Sequence, residues 1–290
     1  MAKYYLVLVL GVVAVAFASI FIRLAEAPSI VIATYRMCLA ALVLAPIAMV
    51  HSRKELMSLK FKEIFLAISA GAFLAVHFAF WIASLRYTTV TSSVVLVTVS
   101  PIFVAIASYL LYREKITRRI VWGIAISIIG SVIVGFNNWQ LGGASVKGSW
   151  LALLGAVAIA GNLLIGRKLR QKMSLLTYIF LTYASAAVIL LVWSLIVGGS
   201  LTGYSGKTYL MFVLLALVPQ LVGHSSFNWS LRFLPATMVT VAVLGEPVGA
   251  TILGLAILNE IPSTFEIIGG VLILGGIVLA FSKNDGKKLS

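Results

Sequence analysis

Two charged side chains lie inside long apolar runs of the sequence, Arg36 and Glu246. Arg36 is about eight residues inside the second run, roughly 12 Å from its outer end at 1.5 Å per helical residue. An unpaired guanidinium is too costly at that depth to face lipid. Two interpretations stand: Arg36 anchors a substrate carboxylate or other anion, or it snorkels to the outer headgroups or caps neighbouring helix ends.

Glu246 directly precedes Pro247, whose ring and missing N–H kink a helix. A carboxyl group at this position can carry a coupling proton or hold a substrate ammonium. The alternative is structural, in which Glu246 satisfies backbone groups freed by the kink or pairs with a neighbouring helix.

Polar and aromatic side chains recur at helical spacing in two other runs. His77 and Trp81 are four residues apart and share a helix face, as do His224 and Asn228 with Gln220 before them. Such stripes can line a binding cavity with aromatic walls, or they can form interhelical hydrogen bonds. The candidate substrate contacts are Tyr35, Arg36, His77, Phe78, Trp81, Asn162, His224 and Asn228, with Glu246 as the candidate proton site.

The composition requires a membrane around these residues. The chain has 290 residues, of which 61% are hydrophobic and only 10% charged, and its mean hydropathy is +1.11. About a quarter of residues are charged in soluble domains. The polar intervals are short, so function must lie among the helices. Cys38 is the single cysteine, which leaves no intrachain disulfide or cysteine-based metal site.

The apolar runs predict an all-α, polytopic membrane protein with ten transmembrane helices. The first run also resembles a signal peptide, but it is long for one, and the repeat described below needs it as a permanent span. The predicted spans are 4–24, 28–50, 64–84, 90–112, 118–136, 148–168, 174–197, 207–230, 235–258 and 265–282.

The basic residues predict the orientation. With a cytoplasmic N-terminus, seventeen of the 22 basic residues fall on inside segments and four fall outside, the remaining one being Arg36. The positive-inside bias therefore places both termini in the cytoplasm. We expect a multi-pass protein of the cell's inner (plasma) membrane. The net charge of +14 is dispersed over short loops, so no nucleic-acid partner is expected. The expected partners are membrane lipids and a small metabolite.

The chain also repeats itself. A shift of 146 positions lays Ser84-Leu85-Arg86 on Ser230-Leu231-Arg232, and it pairs Pro101 with Pro247, Glu114 with Glu260, Gly123 with Gly269 and Gly130 with Gly276. In the span map Arg86 lies outside while Arg232 lies inside, and Glu114 lies inside while Glu260 lies outside. We therefore expect two inverted five-helix repeats, residues 1–145 and 146–290, an architecture associated with alternating-access carriers, although some fused duplicates transport nothing.

The sequence resembles the EamA-type drug/metabolite transporters over essentially the whole chain. The resemblance rests on Tyr35-Arg36, on Trp81 to Thr88, on Ser100-Pro101 with Arg113-Glu114, and on their second-half counterparts Glu246-Pro247 and Asn259-Glu260. It implies ten helices, a central cavity formed by the first four spans of each half, peripheral fifth and tenth helices, and export of amino acids or other small metabolites.

Motifs of other function classes are missing from the sequence. It has no Walker-type loop, no His-Glu-x-x-His motif, no clustered acids at metal-ligand spacing and no ion-channel filter signature. We therefore expect no enzyme, no cofactor and no metal, and transport that is passive or ion-coupled. A carrier of nucleotide-linked or lipid-linked sugars and a non-transporting scaffold or receptor remain as alternatives, and the sequence leaves the oligomeric state open.

Overall fold

The computed structural model describes residues 2–112, 118–234, 239 and 242–281, and within them the chain is helical, without a strand. A π-helical segment, Ala216–His224, lies between the α-helices Gly206–Leu215 and Ser225–Ser230. The α-helices are α1 (Ala2–Ala16), α2 (Ala18–Leu24), α3 (Ser29–His51), α4 (Arg53–Ser58), α5 (Phe61–Ser84), α6 (Val90–Val97), α7 (Ser100–Tyr112), α8 (Arg118–Gln140), α9 (Gly143–Leu169), α10 (Leu175–Ile196), α11 (Gly206–Leu215), α12 (Ser225–Ser230), α13 (Gly245–Leu258) and α14 (Thr264–Phe281).

Seven helical stretches are long and apolar enough to cross a membrane within the described residues. Three shorter apolar helices, Val121–Val134, Gly245–Leu258 and Thr264–Gly276, coincide with the fifth, ninth and tenth predicted spans. The all-helical membrane fold is therefore confirmed for the described residues, while the count of ten spans stays a prediction. Part of the ninth span, Glu114 and the basic residues after 282 lie outside the described residues.

In the described part of the chain, four of the predicted spans are not continuous α-helices, and one of them is the ninth, which is interrupted at Leu244 just before α13. The first is interrupted at Phe17 between α1 and α2, and the fourth at Thr98 and Val99 between α6 and α7. The eighth passes through the π-helical segment, which contains Pro219. Since proline has no N–H to donate, the regular α-helical bonding pattern fails there. These breaks matter because each lies on a helix that packs around the centre of the bundle.

Helices from the two parts of the chain surround one central region. Helix α5 packs along α9, and α10 packs against both α3 and α5. Helix α1 lies against the π-helical segment and α13, while α6 lies against α9 and α13. The wall of the central region therefore draws on residues that are far apart in sequence.

Helices α8 and α14 cross at very short range through small residues. A Cβ atom on Gly276 would lie 2.6 Å from the carbonyl oxygen of Gly123, and one on Gly130 would lie 2.6 Å from that of Gly269. Between these contacts the Ser127 hydroxyl donates to the carbonyl of Ile273 at 3.2 Å. The small-residue faces of the two helices are therefore used inside the monomer, as in other close membrane-helix crossings.

Polar contacts at one end of the bundle join segments that the orientation assigns to the outside. Arg23 forms an ion pair with Glu260 at 2.8 Å and donates to the carbonyl of Thr88. The hydroxyl of Thr208 accepts from the backbone N–H of Glu26. Lys147 lies 4.4 Å from the ring centroid of Tyr87. These loops therefore meet at a common end, as the predicted alternation requires.

The opposite end is organised around Glu55 and Arg170. Glu55 accepts hydrogen bonds from the Ser174 N–H and the Thr177 hydroxyl, so it caps the start of α10. Burial opposes its ionisation, but these hydrogen bonds outweigh burial and leave the pKa of Glu55 below its ordinary value. Arg170 donates to the carbonyl of Asn228 at 3.0 Å, and burial lowers its pKa to about 10, so it stays charged at neutral pH.

Candidate functional site

A small cavity lies at the centre of the bundle, with a volume of about 50 Å³. This volume is large enough for water and too small for a metabolite. Its walls come from α5, from the joint of α6 and α7, from α9, from the eighth span and from the start of α13. The lining residues are His77, Trp81, Val97, Thr98, Ser100, Ile159, Asn162, Leu163, His224, Phe227, Asn228, Val239, Val243 and Glu246.

Arg36 and Phe78 are not among the residues that line this cavity, but the charge of Arg36 is close enough to act on His224 and Glu246, which do line it. Arg36 is fully buried in the bundle, so it does not snorkel to the headgroups. Its Nε donates to Oε1 of Gln220 at 2.9 Å, and its guanidinium carbon is 4.0 Å from the centroid of the Phe78 ring. Nη1 and Nη2 have no hydrogen-bond partner among the described residues. Because a buried guanidinium without partners is costly, these nitrogens are ready to bind an anion.

The two predicted histidines meet across the centre. The ring centroids of His77 and His224 are 6.4 Å apart, and Phe78 lies edge-on to His224 at 5.4 Å. Nδ1 of His77 donates to the carbonyl of Gly155 at 2.9 Å, which leaves its Nε2 as the hydrogen-bonding atom for another partner. The polar and aromatic side chains of the third and eighth spans therefore face each other.

Trp81 stacks on His77 with the ring planes 10° apart and the centroids 5.8 Å apart. Gly155 of α9 packs against this pair, and a Cβ there would be in ordinary van der Waals contact with Trp81 at 3.4 to 3.5 Å. The indole N–H of Trp81 is buried and has no acceptor in the described part of the chain. Trp81 thus offers both an apolar wall and a free donor.

The π-helical segment orients the polar side chains of the eighth span. Gln220 and His224 belong to it, and Asn228 follows in α12. Asn228 Nδ2 donates to the hydroxyl of Tyr183 at 3.4 Å, and the Tyr183 hydroxyl lies 3.3 Å from that of Ser225. Single π-helical turns occur frequently at functional sites. Here the segment brings Gln220 to Arg36 and His224 to His77.

Asn162 has both a packing contact and access to the cavity. Its Nδ2 donates to the carbonyl of Ala70 at 2.9 Å, which joins α9 to α5. The residue is 4% exposed and lines the cavity. The interhelical hydrogen bond uses one of the two N–H donors of the amide, so the second N–H and the amide oxygen are the groups available to a ligand.

Glu246 and Ser100, which occupy equivalent positions under the 146-residue shift, both line the cavity. Glu246 lies in the first turn of α13, close enough to Arg36 for the two charges to interact. The two charged side chains picked out from the sequence therefore lie at one site, although they are separated by 210 positions in the chain.

Tyr35 is not among the residues that line the cavity. It stacks on Phe212 with a centroid distance of 4.4 Å and lies edge-on to Tyr209 at 5.9 Å. Its hydroxyl donates to the carbonyl of Leu201 at 2.5 Å. Successive helical residues point about 100° apart, so Tyr35 faces this aromatic cluster while Arg36 faces the centre.

Some cavity residues were not among the sequence candidates. Thr98 and Val97 reach the cavity because α6 ends there, and Phe227 does so as the counterpart of Trp81. The repeat carried the signal for Phe227, and Pro101, which follows the break after α6, is a local signal that could have located it. A larger groove of about 610 Å³ lies between α7, α8 and α9, and its lining is almost entirely aliphatic and aromatic.

A charged, partly unsatisfied site enclosed by apolar spanning helices is the arrangement found in membrane transporters. Residues 2–136 and 146–282 each match the EamA-like transporter family. Because these two matches cover nearly all of the sequence, the chain belongs to the EamA-like transporter family.

Curated relatives agree with this class. The uncharacterized transporter YxxF of Bacillus subtilis (strain 168) is 25% identical over 228 residues, which cover 78% of this chain and 72% of the relative. An uncharacterized transporter of Archaeoglobus fulgidus is 25% identical over 288 residues, covering 97% and 98%. A solved crystal structure matches with a TM-score of 0.69 over 97% of both chains, at 16% identity, which shows a shared fold.

Proposed function

We propose that this protein is a secondary transporter of the inner membrane that exports amino acids or similar small metabolites by alternating access. Ten spans form two inverted five-helix halves, residues 1–145 and 146–290, with both termini in the cytoplasm. The substrate binds at the cavity between the halves. The observation that carries the proposal is the buried guanidinium of Arg36, which presents two unpaired nitrogens beside that cavity.

Contacts between repeat counterparts support the inverted arrangement. Ser127 contacts Ile273, and Phe78 contacts His224, and both pairs are separated by 146 positions. Counterparts meet each other only where they lie next to a two-fold axis. An axis through both contacts passes beside the cavity, where inverted-repeat transporters place their substrate.

Arg36 and Glu246 give the site the two charges that a zwitterion needs. Arg36 receives the carboxylate through Nη1 and Nη2, and Glu246 receives the amine or carries a coupling proton. His77, Trp81, His224 and Asn228 surround the side chain. The asymmetry between Glu246 and its counterpart Ser100 means that the second half alone supplies a carboxyl group to the cavity.

The small volume of the cavity fits a conformation between the two open states. A cavity of about 50 Å³ is far below the roughly 300 Å³ at which ligand pockets begin. A rocking motion of the halves around the axis widens it on one side of the membrane at a time. The helix breaks at Phe17, Thr98 and Pro219 supply places where the walls can move.

The test is counterflow of labelled amino acids in proteoliposomes. We expect exchange by the parent protein and a 10- to 100-fold fall in apparent affinity for Arg36→Ala, since a hydrogen bond to a charged group contributes about 1.5–3 kcal/mol. Glu246→Gln is expected to retain exchange but lose its response to a pH gradient. The controls are Arg53→Ala and Glu26→Gln, which remove the same charges from exposed positions.

Each outcome of this test supports or refutes one hypothesis about the function of the protein. Equal affinity of the parent and Arg36→Ala would refute carboxylate recognition at the cavity. A folded parent that exchanges no amino acid would refute the amino-acid proposal, and exchange of nucleotide-linked sugars in its place would support the alternative substrate class. No exchange of any compound in a broad metabolite panel would favour a non-transporting scaffold or receptor.

A further inference from the structure

The outer end of α6 is held by two acidic side chains from the second half of the chain. Glu260 Oε2 accepts from the backbone N–H of Val90, the first residue of α6, at 2.8 Å. Glu266 Oε1 accepts from the hydroxyl of Ser92 at 2.6 Å and also from that of Thr89. Carboxylates are favourable at a helix N-terminus because its first N–H groups lack helical partners.

Arg23 completes the connection from the first span. Its Nη2 lies 2.8 Å from Glu260 Oε1 and 3.0 Å from the carbonyl oxygen of Thr88. The side chains of Arg23 and Glu260 are only 28% and 24% exposed, so water screens this pair less than it screens a surface salt bridge. A single guanidinium thus links α2, the segment before α6 and the loop after α13.

The backbone around Glu260 is shaped for this contact. Asn259 ends α13 in the left-handed conformation, with φ of 56°. Asparagine adopts this conformation more readily than most residues. The reversal allows the N–H of Glu260 to donate back to the carbonyl of Gly254, and its carboxylate then faces Val90 and Arg23.

Helix α6 joins this outer cluster to the cavity. It has eight residues, and its last residue, Val97, lines the cavity together with Thr98. The α-helix is interrupted at Thr98 and Val99 before α7 begins. Because α6 is short and ends at a break, displacement of its outer end moves a wall of the cavity.

We propose that Glu260, together with Arg23, is the outer gate of the transporter. The contacts of Glu260 join the two halves only when their outer ends meet, so opening toward the outside requires their release. Removing them shifts the population toward the outward-open state. This inference rests on the alternating-access function proposed above, and it assigns a transport role to residues outside the cavity.

The experiment measures access to the cavity from the outside and does not depend on knowing the substrate. A Cys38→Ser background removes the native thiol, and Ser100→Cys places a reporter in the cavity wall. Right-side-out vesicles are treated with a membrane-impermeant, negatively charged methanethiosulfonate. Inside-out vesicles treated in the same way establish the side from which the thiol is reached.

We expect Glu260→Gln and Arg23→Gln each to raise the outside labelling rate about tenfold, the change produced by a shift of about 1.4 kcal/mol in the gate equilibrium. Glu26→Gln is the matched control, since it removes an exposed carboxylate from the same end of the molecule. Size-exclusion profiles of the purified variants check folding, and the use of two variants keeps the test valid if one of them is unstable.

Labelling rates for Glu260→Gln and Arg23→Gln equal to that of Glu26→Gln would overturn the gate. Faster labelling of both variants in a protein that exchanges no amino acid would support the gate and refute only the substrate class. Intact counterflow with unchanged labelling would retain the transporter and refute the gate. The two proposals are therefore tested separately.

Discussion

Gly276 and Gly275 are neighbours in α14 with opposite surroundings, which allows a matched test of the α8–α14 crossing. A Cβ on Gly276 would lie 2.5 Å from the Ser127 hydroxyl oxygen and 2.6 Å from the Gly123 carbonyl oxygen. A Cβ on Gly275 would meet nothing within 4 Å. Both substitutions to alanine remove one glycine from a helix and add one methyl group, so they differ only in this contact.

The magnitudes follow from these distances. Overpacking costs about 1–3 kcal/mol, and the upper value applies at Gly276 because backbone atoms of α8 can yield only if the helix moves. Alanine gains about 1 kcal/mol over glycine in a helix. With roughly 2–4 °C of melting temperature per kcal/mol, Gly276→Ala should melt about 4–8 °C below the parent, and Gly275→Ala should melt about 2–4 °C above it.

The assay is thermal unfolding of the purified protein in detergent, followed by size exclusion for the oligomeric state. Equal melting temperatures for the two variants would refute the close crossing of α8 and α14. A Gly276→Ala protein that changes its oligomeric state but not its melting temperature would show that this face joins two copies of the chain. The intramolecular crossing predicts a lower melting temperature at an unchanged oligomeric state.

Two further predictions concern Pro219 and Glu55. Pro219→Ala restores a backbone N–H in the π-helical segment and favours α-helical bonding, which turns Gln220 away from Arg36. We therefore expect a severalfold lower apparent affinity for substrate in counterflow. Pro46→Ala of α3 is the control, because it removes a proline from another helix. An unchanged affinity would contradict this role. Because the pKa of folded Glu55 is lowered, its stabilisation is present above its unfolded pKa and is lost as the pH falls through the folded value. The melting temperature of the parent should therefore exceed that of Glu55→Gln at neutral pH and converge with it in acid, and a constant difference would argue against the capping contact.

Much of the fold could be predicted because lipid imposes strong rules. Apolar length located the helices, and the sequence resemblance identified the family that the matches over residues 2–136 and 146–282 confirm. The convergence of Arg36, His77, His224 and Glu246 followed from the rule that intramembrane polar groups face the protein interior. Their roles in transport remain predictions.

The rest depended on tertiary contacts that the sequence does not encode locally. Arg36 and Gln220 are 184 positions apart, and no local pattern pairs them. Tyr35 belongs to the Tyr35-Arg36 motif on which the resemblance rests, but adjacent helical residues point in different directions, and Tyr35 faces an aromatic cluster away from the cavity. The π-helical segment was not predicted, because a proline inside a helix predicts a kink without specifying the bonding pattern around it.

The most direct test of the central claim is counterflow with matched pairs of substrates, each amino acid beside the amine that lacks its carboxylate, in the parent protein and in Arg36→Ala. The account predicts that the parent prefers the acid by at least tenfold and that Arg36→Ala removes the preference, because the free guanidinium nitrogens are the carboxylate site. Equal exchange of acid and amine by the parent, or an unchanged preference in Arg36→Ala, would contradict it.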